Sequence, residues 1–182
     1  MYYHPTTKLT FRSRNSSGTL VKGTVDLSDG NWHNIVVTYD STSYALKMYV
    51  DGSIDYDETI YSYAVFNQPL LLGGKSSSQY LIDCSIDEAS LFNSVLTPAN
   101  VTSIYNSGTP ADLTSLSPVG YWTSENSTFS TNWTVTDNGS GSSDGTSANM
   151  TIADRVGEAP NSTSNAVSFN MTESDRETDV PT

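Results

Sequence analysis

The chain has 182 residues, of which 36% are hydrophobic and only 15% charged, and its formal net charge is −12. That length admits one domain, or one domain with an appendage, and abundant Ser, Thr, Asn and Gly beside so few charges fit turn-rich β-structure rather than a helical bundle. An acidic surface repels phosphate backbones, which argues against nucleic acid as a partner, and the lack of any run of about 18 apolar residues argues against insertion into a bilayer.

The charge is uneven. Residues 1–110 carry six Lys/Arg against ten Asp/Glu, and residues 111–182 carry two against ten, which gives −4 and −8. Cys84 is the single cysteine, so no internal disulfide forms, and it reads as a buried thiol. Eight Asn-x-Ser/Thr triplets are expected by chance in so polar a chain. The opening MYYHPTTK lacks the basic and apolar regions of a secretory signal, so these triplets are expected to stay unglycosylated.

In chain order, residues 8–14 alternate Leu9 and Phe11 with polar neighbours, and residues 19–27 follow after the turn Asn15-Ser-Ser-Gly18. This predicts a hairpin, with Gly23 marking a bulge in its return strand. Residues 31–52, NWHNIVVTYDSTSYALKMYVDG, predict a second and central hairpin. Ile35 to Tyr39 are β-branched or aromatic, and Leu46, Met48 and Val50 alternate with Lys47 and Tyr49. Asp51-Gly52 supplies the tight turn. If the ring of Trp32 is buried, Trp32→Ala costs about 3–5 kcal/mol.

Residues 53–63 are rich in Asp and Tyr, and two readings stand side by side. Tyr56, Tyr61 and Tyr63 are candidate sugar-stacking rings; alternatively the stretch is a solvated strand with tyrosines on its rim. Residues 69–74, PLLLGG, predict a short buried strand, and residues 80–92 a long one with a shift near Asp87-Glu88. Thr97-Pro98 opens a short helix near 98–106, with Val101, Ile104 and Tyr105 as its apolar stripe and Gly108 as its stop. Residues 109–118 read as a linker. The remainder is acidic and rich in Ser, Thr and Asn, with one more strand expected at 167–171.

Nucleophilic hydrolysis usually needs a His beside the nucleophile. Only His4 and His33 exist, and His33 reads as a rim imidazole bonded to backbone. One Cys and two distant His exclude a zinc site, and neither a P-loop nor a dinucleotide fingerprint occurs.

Three separated motifs carry a resemblance: Trp32-His33 with Tyr39-Asp40 and Tyr49-Val-Asp-Gly52; Leu71-Leu-Gly-Gly74; and Ile86-Asp-Glu-Ala-Ser-Leu-Phe-Asn93 running on to Leu96-Thr-Pro98 and Ile104-Tyr-Asn-Ser-Gly108. Over residues 8–113 the chain resembles laminin-G-like modules of the concanavalin A-like lectin/glucanase superfamily. The resemblance implies an all-β fold, an antiparallel two-sheet β-sandwich of jelly-roll type with one short helix, over residues 1–113. Activity stays open, because the superfamily holds sugar binders, hydrolases and plain spacers.

In such modules the first hairpin lies mid-domain, after strands that are absent before Met1, so uncovered edges are expected to be closed by other polypeptide. Residues 114–182, with Gly120-Tyr-Trp122, Thr136-Asp-Asn-Gly-Ser-Gly141 and Asp144-Gly-Thr-Ser-Ala-Asn-Met150, resemble the opening of a second module that completes the sandwich or contacts a neighbour. The superfamily's glucan hydrolases carry carboxylates as E-x-D-x-E; the nearest run here, Asp83 to Glu88, lacks that spacing, so no catalytic residue is expected. Calcium-binding relatives make Asp51, Asp57, Asp87 and Glu88 candidate Ca²⁺ ligands.

The resemblance implies a non-enzymatic structural, decoration or adhesion module on a larger assembly, on a virion surface such as a phage capsid or fibre, with other protein subunits as partners. The alternative is an extracellular, Ca²⁺-dependent carbohydrate-binding lectin.

Overall fold

The computed structural model describes residues 8–12, 20–60, 70–72, 84–123, 127–130, 132–147, 150 and 169–171. The chain folds as two compact units interleaved along the sequence: Met1–Asn67 with Ser94–Ala111, and Gln68–Asn93 with Asp112–Thr182.

In the first unit, strands β1 (Lys8–Arg12) and β2 (Leu20–Asp26) form the expected antiparallel hairpin. Its register jumps: Lys8 faces Asp26 while Thr10 faces Lys22, so two steps along β1 match four along β2. The bulge contains Gly23, as its sequence predicts. The central hairpin follows as β3 (Ile35–Tyr39) and β4 (Ala45–Val50), and β5 (Ser53–Thr59) adds a third strand in the order β3-β4-β5. Leu46, Met48 and Val50 are buried, as their alternation predicts, and Tyr49 on the opposite parity is buried as well. The middle strand is therefore covered on both faces.

Two turns close this sheet. The Asp40 carboxylate accepts from the Thr42 N–H at 2.8 Å and the Ser43 hydroxyl at 2.7 Å, a local turn chemistry typical of Asp. Between β4 and β5, Asp51 (φ 51°) and Gly52 (φ 73°) are both left-handed, the backbone of a two-residue turn whose twist matches its strands. Gly52 is required for a second reason. A Cβ there would lie 2.9 Å from Cδ1 and 3.2 Å from Cβ of Tyr105.

Tyr105 ends helix α1 (Pro98–Tyr105), which starts where the sequence places it. The Thr97 hydroxyl accepts from the Asn100 N–H, and the Asn100 side chain accepts in return from the Thr97 N–H at 3.0 Å, a reciprocal cap. Val101 and Ile104 are buried. The stop differs from expectation: Asn106 (φ 42°) is the left-handed C-cap, and Gly108 (φ 85°) lies one short 3-10 turn further on. Asn, whose short polar side chain tolerates that conformation, does the work assigned to the glycine.

The second unit contains β6 (Cys84–Ile86), β7 (Ala89–Leu91), β8 (Gly120–Trp122), β9 (Thr128–Phe129), β10 (Trp133–Val135), β11 (Gly145–Thr146) and β12 (Phe169–Met171). Its pairings are β7 with β8, β6 with β12, and the sheet β11-β10-β9. The shift expected near Asp87-Glu88 is real, for Glu88 has φ 54° and separates β6 from β7.

Three other expectations fail. Leu70, Leu71 and Leu72 form no strand and are about half exposed. Residues 109–118 are more than a linker, because Leu113 is buried and a 3-10 turn follows at Thr114–Leu116. Cys84 is half-buried rather than buried. In each case a residue's cover comes from partners distant in sequence, which local pattern does not specify. Of the strand expected at 167–171, residues 169–171 form β12, and residues 167 and 168 lie outside the described residues.

Among the described residues every strand pairing is antiparallel and one short α-helix is present, which is the all-β class expected. Among the described residues no helix is long and apolar enough to cross a membrane.

Trp32 is 39% exposed, whereas Trp133 is 3% exposed and packs against Phe129 with ring centroids 5.2 Å apart. Trp133→Ala is therefore expected to cost about 3–5 kcal/mol and Trp32→Ala less than half of that; denaturant titration of the two variants ranks them. Gly52→Ala is expected to cost more than about 1 kcal/mol, through the positive φ and the Tyr105 collision together. The same substitution in a Tyr105→Ala background should cost less, and a double-mutant cycle that came out additive would show that the ring contact carries no energy.

Candidate functional site

Several carboxylates among the described residues act as fixed acceptors for donors of their own chain. Asp51 and Asp29 bracket His33. Its Nδ1 lies 2.8 Å from Asp51 Oδ2 and its Nε2 lies 3.0 Å from Asp29 Oδ1. Asp51 Oδ1 also accepts from the Asn34 N–H at 2.9 Å. The Asn31 N–H and side-chain amide both donate to Asp29, each at 2.8 Å. A neutral imidazole has one N–H, so satisfying two carboxylates requires the imidazolium. The hydrogen bond to Asp51 raises the His33 pKa, helped by Asp29 and opposed by partial burial. The Asn31 side chain and N–H, with His33, lower Asp29 to about 2. The expected backbone-bonded rim imidazole is thus an ion-paired one.

Asp55 does comparable work between strands. It sits where the β4-β5 register skips a residue, Met48 facing Tyr56 and Tyr49 facing Ile54. Its Oδ1 accepts from the Thr24 N–H and hydroxyl, both at 2.7 Å, and from the Val25 N–H at 3.2 Å. These N–H groups belong to the bulge in β2. The Asp55 carboxylate occupies the space a Cβ on residue 23 would take, which is why that position is Gly23. Burial acts to raise the Asp55 pKa, but the Thr24 and Val25 donors outweigh it and the net shift is downward.

In the second unit Asp137, 8% exposed, accepts from the N–H groups of Tyr121 at 2.8 Å, Gly139 at 2.7 Å and Ser143 at 2.8 Å. It shapes the loop from Thr136 to Gly145. Burial again acts upward on its pKa and the three backbone donors prevail. The Tyr121 hydroxyl donates to Glu88; burial and that carboxylate push the phenol pKa up. These are structural roles, since each carboxylate takes several donors from its own chain, although Asp55 Oδ2 is buried without a partner.

The candidate ligand residues stand as follows. Asp51 is engaged by His33 and Asn34, and Asp57 accepts from Lys47 Nζ at 2.9 Å. In the other unit, Glu88 holds Tyr121, and Asp87 Oδ1 accepts from the Glu88 N–H at 2.9 Å. No group of three or more His, Cys, Asp or Glu able to hold a metal occurs among the described residues. Tyr56 is half-buried on β5, its phenol pKa raised by burial and by Glu58. Tyr61 and Tyr63 lie outside the described residues. Asp29, Asp55 and Asp137 were not singled out by sequence, although Asp29-Gly30, the Gly in β2 and the loop motif around Asp137 were available signals.

What remains unsatisfied is an edge. The Asp51 N–H donates to Asn34 O and the Asp40 N–H to Ala45 O, each at 2.9 Å. With Val36 opposite Tyr49 and Thr38 opposite Lys47, residues 34, 36, 38 and 40 turn their backbone groups toward β4. The N–H and C=O of Ile35 and Val37 therefore point away from it. Among the described strands β3 has a neighbour on one side only. Ile35 is 45% exposed, Val37 42%, and Trp32 lies just before them in the chain.

The bracket around His33 generates a pH prediction. Its folded pKa is raised, so the stabilisation it brings is complete below the ordinary value of 6.5 and is lost as pH rises through the raised value. That of Asp29 is lowered, so its contribution is present above 3.8 and is lost as pH falls toward 2. Wild-type stability is expected to be highest between these limits. His33→Gln should lower it there by about 1.5–3 kcal/mol, as for a charge-assisted hydrogen bond, and should flatten the alkaline decline. Thermal melts of both proteins from acid to alkaline pH check this.

A family model described as the concanavalin A-like lectin/glucanases superfamily matches residues 1–102. No curated protein and no solved structure matches the chain significantly. The matched stretch is more than half of the 182 residues and includes the central hairpin with Trp32, His33 and the Asp51-Gly52 turn, together with most of α1. The antiparallel strands and single short helix agree with the β-sandwich of that family, whose members include binding modules. The chain belongs to the concanavalin A-like lectin/glucanases superfamily.

Proposed function

We propose that this protein is a non-enzymatic binding module that attaches to other polypeptide within a larger assembly. A virion surface, as a decoration or adhesion element of a phage capsid or fibre, is the setting we favour. One observation carries the reading: among the described residues β3 has an outward edge whose N–H and C=O groups at Ile35 and Val37 meet no other strand, and both side chains are exposed. Protein edges of this kind are normally blocked by charge, proline or a covering segment, because they pair with other chains. The strand Ile-Val-Val-Thr-Tyr carries neither charge nor proline.

The non-enzymatic part is supported by the missing E-x-D-x-E spacing in the sequence and by carboxylates that are engaged in holding the fold. The virion setting is supported by the likeness of the motifs to lectin-like modules of phage particles. The rival reading, a Ca²⁺-dependent lectin using Tyr56, Tyr61 and Tyr63, predicts different behaviour.

Density-gradient fractionation of native material, paired with a glycan array run with and without chelator, separates the two. The wild-type chain is expected in the particle fraction with no chelator-sensitive glycan signal. Val37→Lys, which adds a charge on the open edge, should shift the chain to the soluble fraction without loss of folding. A chain found only as free protein, with glycan capture abolished by chelator, would replace this reading by the lectin.

A further inference from the structure

We propose that the outer edge of β3, which no described strand covers, is a docking edge for one kind of partner: an extended strand of another protein that is apolar at alternate positions and carries Lys or Arg at both ends. This rests on the binding-module reading above and adds the chemistry of the partner.

The backbone supplies the first half of the case. Ile35 and Val37 offer two outward N–H donors and two outward carbonyl acceptors, spaced two residues apart as a β ladder requires. Their side chains lie on one face of the sheet and are 45% and 42% exposed. An added strand would cover both side chains and match the four backbone groups, which is how a peptide joins a sheet edge. The strand has five residues, so its edge is roughly 17 Å long at about 3.4 Å per residue.

Charge supplies the second half. Asp29 and Asp51 converge at the Asn34 end, where they bracket His33. Asp40 follows Tyr39 directly at the other end. Asp29 and Asp40 are both held below the ordinary carboxylate range by their own donors, so they are ionised at neutral pH. The lysine of the same sheet, Lys47, is held by Asp57 at 2.9 Å. An uncharged strand with a carboxylate beyond each end matches a partner that is apolar in the middle and basic at its tips. A second copy of this chain is a poor match. Antiparallel pairing of β3 with itself would set Asp40 of one copy toward Asp29 and Asp51 of the other, in a protein of net charge −12.

The test uses the full chain and two synthetic peptides of alternating valine and threonine, one closed by a lysine at each end and the other by a glutamate at each end. Binding is followed by calorimetry and by backbone amide shifts. The lysine-ended peptide is expected to shift the Ile35 and Val37 amides and to bind about tenfold or more tightly than its glutamate counterpart, an advantage that shrinks as salt is raised. Val37→Pro removes an outward donor without removing a bond to β4, so it should abolish peptide binding while the fold melts cooperatively. Val37→Lys serves the same purpose should the proline variant fail to fold, since its added charge repels the lysine-ended peptide.

Equal affinity for both peptides would overturn the charge complementarity while leaving the binding-module reading intact. Self-association of the chain blocked by Val37→Lys, with no peptide bound, would overturn it in favour of a second copy. A monomer that binds neither peptide and gives no shift at Ile35 or Val37 would overturn both this inference and the reading beneath it.

Discussion

The first unit depends on a two-residue turn. Asp51 and Gly52 reverse the chain between β4 and β5 with both residues left-handed, and each makes a long-range contact that the other does not. The Asp51 carboxylate takes the His33 ring and the Asn34 N–H, which fixes the approach to β3. Gly52 leaves room for the Tyr105 ring, which seats the end of α1. A larger residue at 52, or a neutral one at 51, would disturb a strand, a loop and a helix together. Close packing leaves no slack for the first change, and the second would weaken the acceptor of the part-buried Asn34 N–H and leave the His33 ring with Asp29 as its one carboxylate.

The acidity of the chain acquires a physical explanation in the same terms. Twenty Asp and Glu against eight Lys and Arg cannot be neutralised by ion pairing. Several carboxylates are stabilised instead by N–H and hydroxyl donors: Asp40 by Thr42 and Ser43, Asp55 by Thr24 and Val25, Asp137 by Tyr121, Gly139 and Ser143. A carboxylate that accepts two or three such bonds keeps its charge even when burial opposes it. These groups end turns and absorb bulges, so they complete the irregular parts of a sheet whose regular parts need no help.

The functional reading rests on contrast with that pattern. At the β2 bulge and in the Thr136–Gly145 loop a carboxylate satisfies the irregular backbone; along the outer edge of β3 no described group does. These outward groups coincide with exposed Ile35 and Val37, and the exposed Trp32 lies just before them in the chain, so polar and apolar deficits fall on one stretch. A binding surface is the arrangement that resolves both at once.

What the sequence by itself determined is the part of the protein whose causes are local. The alternation of Leu46, Met48 and Val50, the Asp51-Gly52 turn, the cap formed by Thr97, Pro98 and Asn100, and the bulge at Gly23 all follow from residues within a few positions of one another, and the antiparallel all-β class follows from them. The tertiary structure alone decided the rest: that Trp133 and not Trp32 is the buried ring, that Leu113 is core while Leu70 to Leu72 are exposed, that Asp55 reaches across to the bulge in β2, and that no described strand covers the outer edge of β3. Burial and hydrogen-bond satisfaction at these positions are set by groups about 15 to 30 residues away or more, and the periodicity of a short strand is the same whether its flank meets another strand or water.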